Sequence, residues 1–147
     1  MFGEPALAKI LVVDDDPAVQ VTIRLLLERA GHDVAVASDG RKALAVFETG
    51  DFDLLFLDIF MPGMDGLETM RLVQKLRPTI PIVVISGRPL TPQLSPEPDF
   101  LGMATKLGAV SSLPKPFKPA DLLATVAGCL EARKRPSLSD HDVASGQ

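Results

Sequence analysis

Four apolar runs in this chain of 147 residues each end on side chains able to handle charge or phosphorus. Asp14 and Asp15 follow Ile10-Leu11-Val12-Val13, Asp58 follows Leu54-Leu55-Phe56-Leu57, Ser86 follows Ile82-Val83-Val84-Ile85, and Lys115 follows Leu113-Pro114. In a parallel sheet the ends of such runs meet along one edge. Three carboxylates, one hydroxyl and one ammonium gathered there make a site for a divalent cation and a phosphoryl group, with a carboxylate available as nucleophile.

A carboxylate attacks phosphorus only when the negative charge building on the phosphoryl oxygens is neutralised, which takes a metal and positioned cationic or hydrogen-bonding groups. Asp58 is the expected nucleophile and forms an aspartyl phosphate. Asp15, with Asp14 directly or through water, is expected to hold a hard Mg²⁺ together with Asp58 and a backbone carbonyl, assigned to Phe60. The same cation relieves the repulsion among three crowded carboxylates. Lys115 is expected to pair with Asp58 at rest and with a phosphoryl oxygen after transfer, while Ser86 donates its hydroxyl to another.

Taken singly, these residues have ordinary explanations. Asp14 or Asp16 can start a helix, and for Asp16 that is the preferred reading; Asp58 can sit in a turn, Ser86 can finish a strand and Lys115 can face water. Those explanations leave unaccounted for why separate strand ends supply all the required functions in a workable order. His32, near a helix stop, and His141 lack partners at ligand spacing and are read as solvated.

The elements that must carry the site follow from the rhythm of the chain. Short β-rich runs alternate with stretches of helical period, which predicts repeated βα units and a parallel sheet covered by helices on both faces. A strand over about Lys9 to Val13 leads to a helix capped by Asp16, with Pro17 in its first turn, Val19, Ile23, Leu26 and Ala30 inward, and Gly31 as a left-handed stop. A short strand over Val34 to Ala37 precedes a second helix with Ala43, Val46 and Phe47 inward. The third strand is Leu54 to Leu57. A turn cluster, Met61-Pro62-Gly63-Met64-Asp65-Gly66, then opens a helix to about Arg77 whose buried stripe is Leu67, Met70, Val73 and Leu76. Pro81 to Ile85 reads as the fourth strand and Val110 to Leu113 as the fifth. A last helix follows Pro119, with Leu123, Val126, Ala127 and Leu130 inward. Pro89, Pro92, Pro96 and Pro98 break the pattern between the fourth and fifth strands, leaving room only for a shortened helix over Leu101 to Leu107.

Size and composition agree with one domain of this kind. The chain has the commonest length for a single compact unit, with ordinary fractions of hydrophobic (46%) and charged (23%) residues. Its apolar runs are too short to span a bilayer, and Met1 to Pro5 lacks the basic and apolar segments of a secretion signal, so a cytoplasmic location without membrane attachment is expected. The single cysteine, Cys129, forms no internal disulfide and is read as a packing residue. A net charge of -4 gives no basic footprint for direct nucleic-acid binding. The basic run Arg133-Lys134-Arg135 is read as helix-dipole complement rather than a contact patch. Residues 1–8 are expected to form an N-terminal extension, 9–133 the folded domain and 134–147 a disordered polar tail.

Ile10 to Asp15, Leu57 to Gly66, Ile85-Ser86-Gly87 and Leu113-Pro114-Lys115-Pro116-Phe117 together resemble the motifs of the two-component response-regulator receiver domain, over about Lys9 to Leu130. The resemblance implies a flavodoxin-like, doubly wound sheet of strand order 2-1-3-4-5, with the site at the switch point beside strands one and three. It implies that Asp58 accepts phosphate from a phosphohistidine of a sensor histidine kinase or a histidine phosphotransfer protein, with Mg²⁺ near Asp14 and Asp15. It also implies a cis Lys115-Pro116 peptide. Since only the polar tail follows the last helix, output is expected through a downstream effector protein or a phosphorelay, with a homodimer among the states the chain can adopt. Such a chain signals and is not an enzyme in the ordinary sense, its chemistry being limited to Mg²⁺-dependent self-phosphorylation and slow autodephosphorylation.

Two features depart from the family pattern. Ser112 stands three positions before the lysine, where many receivers have an aromatic switch residue, and the proline-rich segment 88–100 predicts a displaced or partly melted helix and an unusual partner surface. Phe60 is expected to slow the access of water to the acyl phosphate. Two other classes share parts of the pattern. Val12 to Asp16 also fits the opening motif of haloacid-dehalogenase-type phosphatases, with Asp14 as nucleophile, but that reading leaves the Asp58 motif unexplained. A flavodoxin-like electron carrier would have the fold, yet the chain has no Trp or Tyr to stack on a flavin.

Overall fold

The computed structural model describes residues 7–59, 66–86 and 108–133. The strands are β1 (Lys9–Val13), β2 (Asp33–Ala37), β3 (Leu54–Asp58), β4 (Ile82–Ser86) and β5 (Ser111–Pro114). The helices are α1 (Pro17–Arg29), α2 (Gly40–Thr49), α3 (Gly66–Leu76) and α4 (Pro119–Arg133). The five strands form one sheet of order β2-β1-β3-β4-β5, and every pairing is parallel. The fold is thus the flavodoxin-like arrangement of order 2-1-3-4-5.

Alternation along each strand splits the core into two layers, because successive side chains point to opposite faces. Leu11, Val13, Leu55, Leu57, Ile82 and Val84 face Phe47 of α2 and Met70 and Val73 of α3. Ile10, Val12, Leu54, Phe56, Val83 and Ile85 face Ile23 and Leu27 of α1 and Leu122 and Val126 of α4. Burial on both faces explains why the strands read as unbroken apolar runs. Register then aligns their ends: Val13 pairs with Ala37 and Leu57, Asp58 with Ile85, and Ser86 with Pro114. One residue further along, the Asp14 N–H donates to the Ala37 carbonyl at 3.1 Å and the Ile59 N–H to the Ile85 carbonyl at 3.2 Å.

The caps form as their residue types dictate. The Asp16 carboxylate accepts from the Ala18 N–H at 2.9 Å with Pro17 in the first turn, and the Asp39 carboxylate accepts from the Lys42 N–H at 2.8 Å. Gly31, at φ +101°, closes α1 in the left-handed region.

Three orientations differ from the periodicity reading. Leu76 is 47% exposed, whereas Thr69 is fully buried. The inward row of α3 runs through Gly66, Thr69, Met70 and Val73 and continues to Arg77, whose guanidinium lies 5.6 Å from the Phe47 ring and donates to the Phe52 carbonyl. In α4, Ala127 is exposed and Leu122 is buried in its place. Both phases satisfy a 3.6-residue period, and the larger apolar side chain takes the core. His32 is not solvated: it is only 9% exposed, and its backbone N–H donates to the Leu27 carbonyl just past the turn at Gly31. Burial holds its pKa below the ordinary value.

Smaller differences concern element ends. Asp58 is the last residue of β3, and β4 and β5 each start one residue later than read, which leaves Val110 exposed. Cys129 is half-buried and packed against the second core layer, and burial pushes its thiol pKa up. The shortened helix over 101–107, the proline-rich segment, Phe60, the turn cluster up to Asp65 and the tail after 133 lie outside the described residues.

Candidate phosphoacceptor site

The site is built where the four central and edge strand ends emerge on one rim. Asp14 stands one residue past β1 and is fully buried. Each of its polar groups is engaged: its N–H with Ala37, its carbonyl with the Gln20 side-chain amide, its Oδ1 with the Asp16 N–H at 2.9 Å, and its Oδ2 with the Lys115 ammonium at 2.7 Å. Asp58, at the end of the neighbouring strand, is 3% exposed, and its Oδ2 lies 3.3 Å from the same ammonium. Asp15 is exposed. One carboxylate oxygen from each of Asp14, Asp15 and Asp58 lies within 4.8 Å of the other two.

Lys115 reaches this cluster from the end of β5, just before the cis Lys115-Pro116 bond. Its side chain is 17% exposed. Burial alone would lower its pKa, but the hydrogen bond it donates to Asp14 and the charges of Asp58 and Asp14 outweigh that and raise it. The ammonium therefore stays charged and bridges two buried carboxylates, and it sits closer to Asp14 than to Asp58. The expected Lys115–Asp58 pair is present as one arm of that bridge.

Hard oxygen donors suit a hard divalent cation, and their spacing tests the fit. Two Mg–O bonds of about 2.1 Å put ligand oxygens at most about 4.2 Å apart. A cluster within 4.8 Å matches that separation after small adjustments or with one ligand reached through water. Buried Asp14 and Asp58 fix one side, while exposed Asp15 leaves the other open to solvent.

Ser86 ends β4, and its backbone pairs with Pro114 on the same rim. The structure thus brings together Asp14, Asp15, Asp58 and Lys115 and ends β4 beside them at Ser86; Phe60, assigned a carbonyl ligand, is outside the described residues.

Two contributors were not legible as site residues. Gly66 opens α3 directly against the backbone of Asp58 and Ile59: a Cβ there would run into the Ile59 Cα and the Asp58 carbonyl oxygen. Its only sequence signal is membership of the turn cluster after Asp58. Gln20 gives no signal at all, since its bond to the Asp14 carbonyl depends on how the loop folds back over α1.

A doubly wound sheet carrying an acidic cluster and a lysine at its carboxyl edge defines a class of phosphoryl-handling signalling domains, and comparison with known proteins agrees. The family model of the response regulator receiver domain matches residues 10–127. The chain is 37% identical over 125 residues to the alkaline phosphatase synthesis transcriptional regulatory protein PhoP of Bacillus subtilis (strain 168), covering 83% of this chain and 48% of that protein. It is 32% identical over 142 residues to the DNA-binding transcriptional regulator NtrC of Rhizobium meliloti (strain 1021), covering 95% and 28%. Among solved structures, a CheY-like receiver domain protein from Methanospirillum hungatei JF-1 superposes with a TM-score of 0.79 at 29% identity, covering 89% of this chain and 99% of that one. Chemotaxis protein CheY4 of Vibrio cholerae gives 0.75 at 32% identity, covering 84% and 99%.

The chain belongs to the response regulator receiver domain family of two-component signalling systems. It spans about half the length, or less, of these curated relatives. The phosphatase and flavodoxin alternatives find no support here, and Asp14, buried and bound at both carboxylate oxygens, is poorly placed to be a nucleophile. Among the described residues, no helix is long and apolar enough to cross a membrane.

Proposed function

We propose that the chain is a phosphoacceptor whose Asp58 takes a phosphoryl group from a phosphohistidine of a sensor histidine kinase or histidine phosphotransfer protein. The Asp58 carboxylate oxygen forms the new P–O bond as the donor's P–N bond breaks, and the released imidazole takes its proton from solvent. Asp14, Asp15 and Asp58, with the Phe60 carbonyl, would hold Mg²⁺, which supplies charge neutralisation at the phosphoryl oxygens. Lys115 gives up its contact with Asp58 for a phosphoryl oxygen, and the Ser86 hydroxyl donates to another. Asp14 keeps Lys115 anchored throughout.

The observation that carries this reading is the Lys115 bridge: one ammonium within 3.3 Å of Asp58 and 2.7 Å of Asp14, beside a third carboxylate. A cation already at the nucleophile meets the charge that transfer brings. With a net charge of -4, output is assigned to a downstream effector protein and not to nucleic acid. Residues 9–133 form the receiver unit in this reading.

The test is incubation with acetyl phosphate and Mg²⁺ followed by intact-mass analysis. Wild type is expected to gain one phosphoryl group and Asp58→Asn none. Equal modification of both would remove Asp58 from the role.

A further inference from the structure

We propose that Gln20 is a positioning residue for the cation site, holding the Asp14–Asp15 peptide in the orientation that aims Asp15 at the cluster. The inference rests on the Mg²⁺ reading given above and concerns a residue outside the set of ligands. Gln20 lies one turn into α1, half-buried, and its own N–H donates to the Asp16 carbonyl at 3.0 Å as an ordinary helical bond. Its side chain turns back past the helix start, and the amide nitrogen donates to the Asp14 carbonyl oxygen.

That carbonyl is half of a rigid unit. The peptide group is planar, so fixing the Asp14 oxygen also fixes the Asp15 N–H and Cα, which narrows the directions open to the Asp15 Cβ to those reached by turning about the N–Cα bond. Asp14 itself needs no such help, since Ala37, Asp16 and Lys115 already hold it. Asp15 does need it: it is exposed, and no hydrogen bond from another described residue holds its carboxylate. Its place in the cluster with Asp14 and Asp58 therefore depends on where the backbone sets its Cα.

The loop between β1 and α1 carries two of the three carboxylates, so slack there acts on cation affinity before it acts on the fold. Outer groups that orient metal ligands typically contribute tenfold to a hundredfold in affinity. Gln20→Met keeps the length and apolar stem and removes the donor. Gln20→Asn keeps an amide too short to span the same gap.

Direct calorimetric titration of each protein with MgCl₂, without phosphodonor, reads the affinity, and thermal unfolding without metal reads the fold. We expect both variants to weaken Mg²⁺ binding by roughly tenfold, with an unfolding midpoint close to wild type and full phosphorylation by acetyl phosphate once Mg²⁺ is saturating. Unchanged affinity in both variants would overturn the proposal, as would a loss of midpoint with affinity intact, which marks Gln20 as purely structural. Absence of Mg²⁺ binding by wild type would instead sink the metal reading and this inference with it.

Discussion

Lys115 has to satisfy two buried carboxylates at once, and that makes it the residue on which the resting site depends. Breaking a buried pair by removing one partner leaves an uncompensated charge and costs several kcal/mol. Asp14 and Asp58 are almost wholly excluded from solvent, so neither can recover its hydration when the ammonium is removed. Lys115→Met is therefore expected to destabilise the metal-free protein by about 3 kcal/mol in urea unfolding at neutral pH. Adding Asp14→Asn to that variant should return most of the loss, because one of the two stranded charges is gone. A folded-state pKa raised above the unfolded value gives stability that is present at neutral pH and disappears as pH climbs through the folded value. The gap between wild type and Lys115→Met should accordingly close at pH above the ordinary lysine value of 10.5. A loss below about 1 kcal/mol, typical of exposed pairs, would mean that solvent screens the bridge.

At the scale of elements, the N-terminus of α3 is pressed against the end of β3 with no room for a side chain. Gly66 is buried, and the space where its Cβ would stand is occupied by the backbone of Asp58 and Ile59. Backbone cannot yield as a flexible side chain can, so Gly66→Ala has to move either α3 or the strand end carrying Asp58. Overpacking of this kind costs typically 1–3 kcal/mol. We expect Gly66→Ala to lose about 2 kcal/mol by thermal or urea unfolding and to accept phosphate from acetyl phosphate more slowly than wild type. Unfolding indistinguishable from wild type would show that α3 shifts at no cost. The same region shows what a linear reading does and does not reach. Strands such as Leu54 to Leu57 were legible because two-sided burial writes itself as a continuous apolar run, and the cap Asp16 because it acts within two residues. The phase of α3 and α4 was not, since Leu76 and Leu122 satisfy or miss a helical period equally well until the sheet beneath them is known. Asp14, Asp15, Asp58 and Lys115 were legible as strand-end residues. Gly66, Gln20 and buried His32 were not, because a close approach, a folded-back amide and the burial of a ring beside a turn are tertiary facts with no spacing of their own.

For the whole molecule, the site joins ends of β1, β3, β4 and β5, so a ligand held there is bound by the native sheet and by nothing in the unfolded chain. Such a ligand stabilises by RT ln(1 + [L]/Kd), about 2.7 kcal/mol at a hundred times Kd. For a domain of this size that corresponds to roughly 5–10 °C in unfolding midpoint. Wild type unfolded in MgCl₂ is expected to show this increment over the same protein in EDTA. Asp15 is exposed and unpaired with Lys115 in the resting state, so Asp15→Asn should leave the EDTA midpoint near wild type and lose most of the increment. Asp58→Asn should behave differently in EDTA: removing one of the carboxylates crowded around a single ammonium relieves like-charge repulsion and raises the midpoint, while the response to Mg²⁺ shrinks. The three proteins thus separate ligand binding from general ionic screening, which would act on all of them alike. Equal increments in all three would place the bound cation somewhere other than this rim.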